Sequence, residues 1–458
     1  METNQKDAID LGTLNVYRLF SKYFFPTLLG MLGMSAMTAI DGVFIGHMVG
    51  SDGIAAVNIC VPLFMIATGL GLMTGAGCSV VASVHLSRGK VKAARLNVTQ
   101  AFLFASFFTL LPSLFFLLRP TATALALGSS EGLLPLVKDY LVWFAPGLLF
   151  QVWISLGLFI VRLDGSPRYA MWCSLAGAFA NIGLDYLFIC VFRWGLAGAA
   201  AASTLSMIIG GLMVMGYIVK GSKTLRFAPL KWSANSLRYS LRNIGYQCRV
   251  GSSALIGEAT MSVLALTGNY VFMHYLGDDG VSAFGIACYY SPFAFMIGNA
   301  ISQAAQPIIS YNNGLGRRDR VTEALKASLF TAIACGGLVT ALFALLPEYM
   351  VRLFIDPGCR AGQLAIEGFP FFATAFLFFM TNLTCVGYLQ STEQAGKAIA
   401  VSLLRGAVFL LPCFILLPKA LGNKGIWLAL GLSEALTCAC VAGGWATARL
   451  REAFRRKG

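Results

Sequence analysis

Four carboxylates stand inside stretches that are otherwise apolar: Asp41, Asp185, Glu258 and Glu434. The first closes PTLLGMLGMSAMTAID, from Pro26 to Asp41, in a hydrophobic segment that runs on through GVFIGHMVG. A carboxylate in hydrocarbon is costly unless water, a proton or a partner attends it, so each such acid marks a place where cations are handled or a partner waits. Around Asp185 the chain reads AFANIGLDYLFI, which puts Asn181 and Asp185 at i, i+4 on one helical face. An amide and a carboxylate so arranged present several oxygens to one hard cation or one proton. Asp41, and the hydroxyls Ser203 and Thr204 of GLAGAAAASTLS, complete an oxygen-lined cation site. The competing reading is that these groups are interhelical hydrogen-bonding glue. Two acids in one bundle repel each other and make expensive glue, which favours the cation site. In the C-terminal half, Glu258, Asn299, Gln303, Gln306 and Glu434 are candidates for lining a wet cavity, Glu434 having Arg405 of LLRGAVF as an alternative partner.

The elements that must carry these residues are membrane spans. Of 458 residues, 57% are hydrophobic and 12% charged, with a mean hydropathy of +0.73; soluble domains use roughly 45–50% apolar and 25% charged residues. About 20 apolar residues cross a bilayer as a helix. Such stretches fall at 16–49, 54–86, 93–118, 135–161, 169–192, 195–219, 244–276, 280–310, 321–347, 366–390, 397–418 and 425–447. The reading is an all-α polytopic membrane protein, twelve transmembrane helices in two pseudo-symmetric six-helix bundles, lying in the plasma membrane. With the N-terminus inside, Lys and Arg concentrate in the cytoplasmic loops, as the positive-inside rule requires. The net charge of +14 is therefore topology and not a nucleic-acid surface, and an even number of spans leaves both termini cytoplasmic.

Pro26 lies fifteen residues before Asp41, and proline inside a helix removes a hydrogen bond and favours a bend. That bend either responds to protonation of Asp41 or is a static kink near the membrane surface. The twelve cysteines are mostly scattered singly through apolar stretches and read as small buried hydrophobes. His47, His85 and His274 are isolated. No Walker, nucleophile-elbow or HExxH motif is present, and the loops are too short for an ATPase domain. Energy for transport must then come from an ion gradient, with no resident cofactor. METNQKDAIDLGTLN, the first fifteen residues, has acids and no apolar core, unlike a cleavable signal peptide.

A polar interval from Lys220 to Arg249, with seven basic residues and no acid, divides the chain. This gives an N-terminal lobe at 1–219, a basic cytoplasmic linker at 220–243 and a C-terminal lobe at 244–458 that ends in a basic cytoplasmic tail. The lobes echo each other. SDGIAAVNI (Ser51 to Ile59) answers DDGVSAFGI (Asp278 to Ile286) at an offset of 227, which also sets Gly89 on Gly316. GLAGAAAASTLS (Gly195 to Ser206) answers GIWLALGLSEAL (Gly425 to Leu436) at 230, setting Thr204 against Glu434. The acids do not repeat: Asp41 falls on Gly268 and Asp185 on Ile415. Repeats of this kind build a transport site between two bundles, here with asymmetric ion chemistry.

Pro26 and Asp41 in the first span, the DG turn at Asp52, the Gly-Lys loop after the second span, RLDGSPRYAM (Arg162 to Met171) and ANIGLDY in the fifth span together resemble the multidrug and toxic compound extrusion (MATE) family, in particular its bacterial branch like DinF and MepA. The resemblance implies a cation-coupled antiporter, working as a monomer, whose lobes rock to expose a cavity to each side of the bilayer in turn. It implies efflux of cationic, amphipathic small molecules in exchange for H+ or Na+. Asp41, Asn181, Asp185 and Thr204 would bind the proton or Na+, and Pro26 would be the bend. Glu258 matches an acid that another branch uses in its seventh span, while the tenth span, FPFFATAFLFFMTNLTCVGYLQ, lacks the acid used there. A flippase of lipid-linked polar precursors on a related fold is the alternative; its phosphates would call for a cationic cavity, whereas the buried charges here are mostly acids.

Overall fold

The computed structural model describes residues 10–230 and 233–455. The first nine residues of the N-terminal stretch, Lys231 and Trp232 of the linker, and the last three residues of the tail lie outside the described residues. Long apolar runs leave the backbone no water to bond with in a bilayer, so helices, which satisfy their own amides, are the expected outcome. The described chain is helical from end to end: α1 (Val16–Met48), α2 (Ser51–Ser87), α3 (Val91–Leu118), α4 (Pro120–Ala126), α5 (Leu134–Phe144), α6 (Gly147–Leu163), α7 (Pro167–Asp185), α8 (Gly195–Gly216), α9 (Ala234–Gly314), α10 (Arg318–Leu345), α11 (Pro347–Arg352), α12 (Arg360–Ser391), α13 (Ala395–Leu403), α14 (Leu410–Leu421) and α15 (Asn423–Arg455).

Ten helical stretches are long and apolar enough to cross a membrane, and α5 with α6 forms an eleventh, bent by 53°. One of the ten, α9, has 81 residues, about 120 Å at 1.5 Å per residue. It is two spans joined at Gly277, whose φ of 65° and ψ of −157° are not helical. Twelve crossings result, at the expected places. The seventh starts at Ala234, ahead of the expected 244. The polar residues there stay helical because α3 receives them: the side-chain amides of Asn243 and Gln247 donate to Asn97 Oδ1 at 2.7 Å each.

Backbone conformation reveals the internal repeat more sharply than residue identity does. Positive φ recurs at Gly50 and Gly277, at Gly89 and Gly316, and at Gly195 and Gly422, each pair 227 apart; Gly165 is answered by Glu393. The Gly195–Gly422 pair revises the offset of 230 read from the sequence. At 227, Glu434 answers Met207 and not Thr204, because small-residue runs slide in an alignment whereas a left-handed turn does not.

The chain forms two compact units. The first runs from the N-terminus through Leu255 and includes Gln306–Val321 and Ser391–Glu393. Its centre is α6, buried along most of its length, while α3 turns Leu103, Phe107, Leu111, Leu114 and Leu118 outward at helical spacing, an apolar face suited to lipid. Ahead of α1, Asn312 donates to the Leu11 carbonyl (3.0 Å), Arg317 to that of Gly12 (2.6 Å) and Arg320 to that of Leu14 (2.6 Å). The linker begins as an ordered strap on this unit. Asp164 accepts from the amides of Lys223, Thr224 and Leu225 at 2.7–2.9 Å and from the hydroxyls of Tyr217 and Ser222.

The second unit comprises Ile256–Ala305, Thr322–Gln390 and the chain from Gln394 on. Phe272 stacks on Phe284 and meets Trp427 edge-on, anchoring an aromatic core.

Candidate functional site

The first cation-site helix, α1, packs chiefly against α7. Two glycines let them approach: a methyl group at Gly30 would sit 3.4 Å from the Met171 Cα and the Ser174 Cβ, and one at Gly33 would lie 2.5 Å from a Leu175 methyl. This packing brings the Asp41 and Asp185 carboxyls into each other's electrostatic field. Asn181 and Asp185 are completely buried. Asp185 ends the regular part of α7, and a π-helical turn, Tyr186–Val191, follows directly. Such bulges concentrate at functional positions because they re-aim side chains within a helix.

Asp41 Oδ1, Asn181 Oδ1 and both carboxylate oxygens of Asp185 are buried with no hydrogen-bond donor among the described residues. Buried oxygens are ordinarily paired, and leaving a charged one unpaired carries the full desolvation penalty. Along α1 and α7 these four buried oxygens thus lack donors among the described residues. A proton or a small hard cation supplies what these oxygens lack.

Two neighbours refine the expected set. Asn181 Nδ2 reaches Ser203 Oγ at 3.5 Å, whereas the Thr204 hydroxyl donates to the Trp143 carbonyl at 2.7 Å. Tyr140, on α5, was missing from the sequence reading; it is buried and stacks on Phe144 at 5.0 Å. The available signal was its place six residues before Pro146, where the fourth span breaks. Pro26 is half-buried within an α1 that continues as helix from Val16 to Met48.

The C-terminal candidates do not form one cluster. Glu434 is held by Arg405, with Nη2 to Oε1 at 2.9 Å, and by Asn382, with Nδ2 to Oε2 at 2.7 Å. Arg405 also lies over the Phe379 ring at 4.4 Å. All three polar residues are buried, so this acid is neutralised in place. Gln306 belongs to the first unit and donates to the Ala76 carbonyl at 3.0 Å. Gln303 is buried, and Glu258 and Asn299 are half-buried, in the second unit. His47 and His274 are exposed, and no cluster of three His, Cys, Asp or Glu residues suited to a metal occurs among the described residues.

Comparison with known proteins agrees with this architecture. The MatE family model matches the chain twice, over residues 26–187 and 254–415, so the second match starts 228 residues after the first. An FAD transporter of Shewanella oneidensis is 24% identical over 94% of each chain. The multidrug export protein MepA of Staphylococcus aureus is 24% identical over 93% of this chain and 92% of its own. A solved structure described as the outward-facing conformation of a multidrug resistance MATE family transporter of the MOP superfamily superimposes with a TM-score of 0.89 at 19% identity, covering both chains completely. That likeness extends over all twelve spans and both bundles. Matched in each half by the same family model, the chain belongs to the MatE family of membrane transporters.

Proposed function

We propose that this protein is a secondary active multidrug efflux antiporter, exporting cationic amphipathic small molecules in exchange for H+ or Na+ by alternating access. The observation that carries the reading is the cluster of donor-less oxygens contributed by Asp41, Asn181 and Asp185. These residues bind the incoming cation; its charge offsets the repulsion between the carboxylates and favours one lobe orientation over the other. Only such differential affinity converts a gradient into a conformational shift. Substrate and ion compete for the acids, which makes exchange obligatory. The name of MepA, a multidrug export protein, supports efflux.

On this reading the lobes are 1–219 and 244–458, joined by 220–243. The chain works as a monomer in the plasma membrane with both termini in the cytoplasm, performs no covalent chemistry, and uses Pro26 as the bend in α1. Acids in the first unit favour cationic cargo over phosphate-bearing cargo, whether lipid-linked precursors or a dinucleotide such as the one named for the Shewanella relative.

The test is efflux of tetraphenylphosphonium from proteoliposomes, driven first by a pure pH gradient and then by a pure Na+ gradient. Asp41→Asn and Asp185→Asn should each lower gradient-driven efflux at least about a hundredfold, as expected when roughly 3 kcal/mol of differential ion binding is lost. Efflux that persists at the wild-type rate in both variants would exclude the mechanism.

A further inference from the structure

Helix α9 starts at Ala234, about 15 Å ahead of the apolar stretch that opens the seventh span at 244. One face of this extension is committed to α3. Gln100 Nε2 donates to Ser240 Oγ at 2.9 Å, and the side-chain amides of Asn243 and Gln247 donate to Asn97 Oδ1. Ser240, Asn243 and Gln247 thus form the packed side of the helix, and the opposite side has no such neighbour.

At about 100° per residue, Arg238, Arg242 and Arg249 project within about 40° of one another, on the side away from α3. All three are exposed, and none forms an ion pair with an acid among the described residues. Leu237 and Leu241 flank this stripe on one side and Tyr239 and Tyr246 on the other, all four exposed. The interval from Lys220 to Arg249 contains no acid of its own. Glu393, which reaches the helix from another loop of the same unit, accepts from the Tyr246 hydroxyl at 2.9 Å. The positive-inside rule explains arginines near the end of a span, but not their alignment along one uncovered face.

We infer that the Arg238–Arg242–Arg249 stripe is a docking surface for the headgroups of anionic phospholipids. It is about 16 Å long. The headgroup layer occupies roughly 5–8 Å on each side of the hydrocarbon, and attraction to an anionic leaflet decays over a Debye length of about 8 Å in physiological salt; the stripe covers both. Guanidinium groups grip phosphate oxygens bidentately. Tyrosine rings settle at the membrane boundary, and leucines beside a basic face add apolar contact there. Because α9 runs on into a span, the anionic surface within its reach is the bilayer itself, which favours lipid over nucleic acid or an acidic protein. The inference draws nothing from the antiport reading.

The experiment titrates phosphatidylglycerol, carrying a nitrobenzoxadiazole group on one acyl chain, into the full-length protein in non-ionic detergent, read by fluorescence anisotropy. Unlabelled phosphatidylglycerol should displace the probe at concentrations at least about tenfold lower than phosphatidylcholine of the same chains, the scale set by two or more basic residues at a membrane surface. Arg238→Gln, Arg242→Gln and Arg249→Gln should each weaken phosphatidylglycerol about fivefold, and the triple variant should bind the two lipids equally. Lysine at all three positions keeps the charge and should keep the preference. Lys397→Gln, which removes an exposed cation outside the stripe, should leave it unchanged. In the wild type, raising the ionic strength from about 0.05 to about 0.5 M should erase the preference, a check that needs no variant to fold. Equal displacement by the two lipids in the wild type, displacement by inorganic phosphate or a short DNA duplex at the concentration where phosphatidylglycerol acts, or an undiminished preference in the triple variant would overturn the inference.

Discussion

Asp185 and Glu434 are both fully buried acids, and their surroundings set them to different work. Among the described residues Asp185 has no donor on either oxygen; Glu434 has Arg405 and Asn382. Breaking a buried pair by removing one partner costs about 3–5 kcal/mol, whereas replacing both partners with apolar groups is often neutral. Arg405→Met should therefore lower the melting temperature in detergent by several degrees, and Arg405→Met with Glu434→Met should recover most of the loss; an unchanged melting temperature in the single variant would contradict the pairing. Asp10 tests a smaller contact outside the membrane. Its carboxyl is held below the ordinary 3.8, mainly by the Thr13 hydroxyl and, against the pull of burial, by the amides of Gly12 and Thr13 and the charge of Arg320. A lowered folded-state value means the turn is stabilised above pH 3.8 and loosens as pH falls below it through the lowered value. Hydrogen exchange at the Gly12 and Thr13 amides, corrected for intrinsic rates, should lose protection over that acid range in the wild type and show no such step in Asp10→Ala. Asp41, Asn181 and Asp185 were legible in the sequence because polar groups in an apolar run announce their own cost. Tyr140 was not, since a tyrosine blends with its apolar neighbours.

At the scale of elements, apolar length gave away the twelve spans, while the connections between them needed coordinates. The segment after α8 reads in sequence as a basic cytoplasmic linker, yet Asp164, far away in RLDGSPRYAM, gathers three of its amides and the hydroxyls of Ser222 and the preceding Tyr217. A carboxylate accepting several backbone amides is a strong local clamp, and its removal leaves those donors unpaired at about 1–3 kcal/mol for a buried group. Asp164→Ala should thus free the strap, read as trypsin cleavage after Lys223 or Arg226 at rates at least tenfold above wild type. Equal cleavage rates would show that the strap is held by other contacts, such as Phe227 against Phe102. Close helix approach was equally hidden. Gly77 of α2 faces the Gln247 carbonyl and Gly251 of α9 faces that of Met73, each leaving no room for a methyl group. The glycines were visible in the sequence, but nothing in it named the backbone they would touch.

Over the whole molecule, the repeat and its failure carry the argument. Left-handed glycines and the paired family match both recur at about 227 residues, so each half inherits one fold, but the halves have diverged in charge. Among the described residues the first unit keeps buried acid oxygens without donors, one on Asp41 and two on Asp185, and the second keeps an acid already neutralised by arginine. Ion handling by one half of a symmetric scaffold is the central claim, and proton counting tests it most directly. Tetraphenylphosphonium added to the purified protein in weakly buffered, Na+-free solution should displace protons, read with a pH indicator dye. The account predicts release of about one proton per protein near the pH midpoint of transport, the stoichiometry of a single site shared by two interacting carboxyls, and none from the Asp41→Asn, Asp185→Asn double variant. Undiminished release from that variant, or release abolished only when Glu258 is replaced, would contradict it.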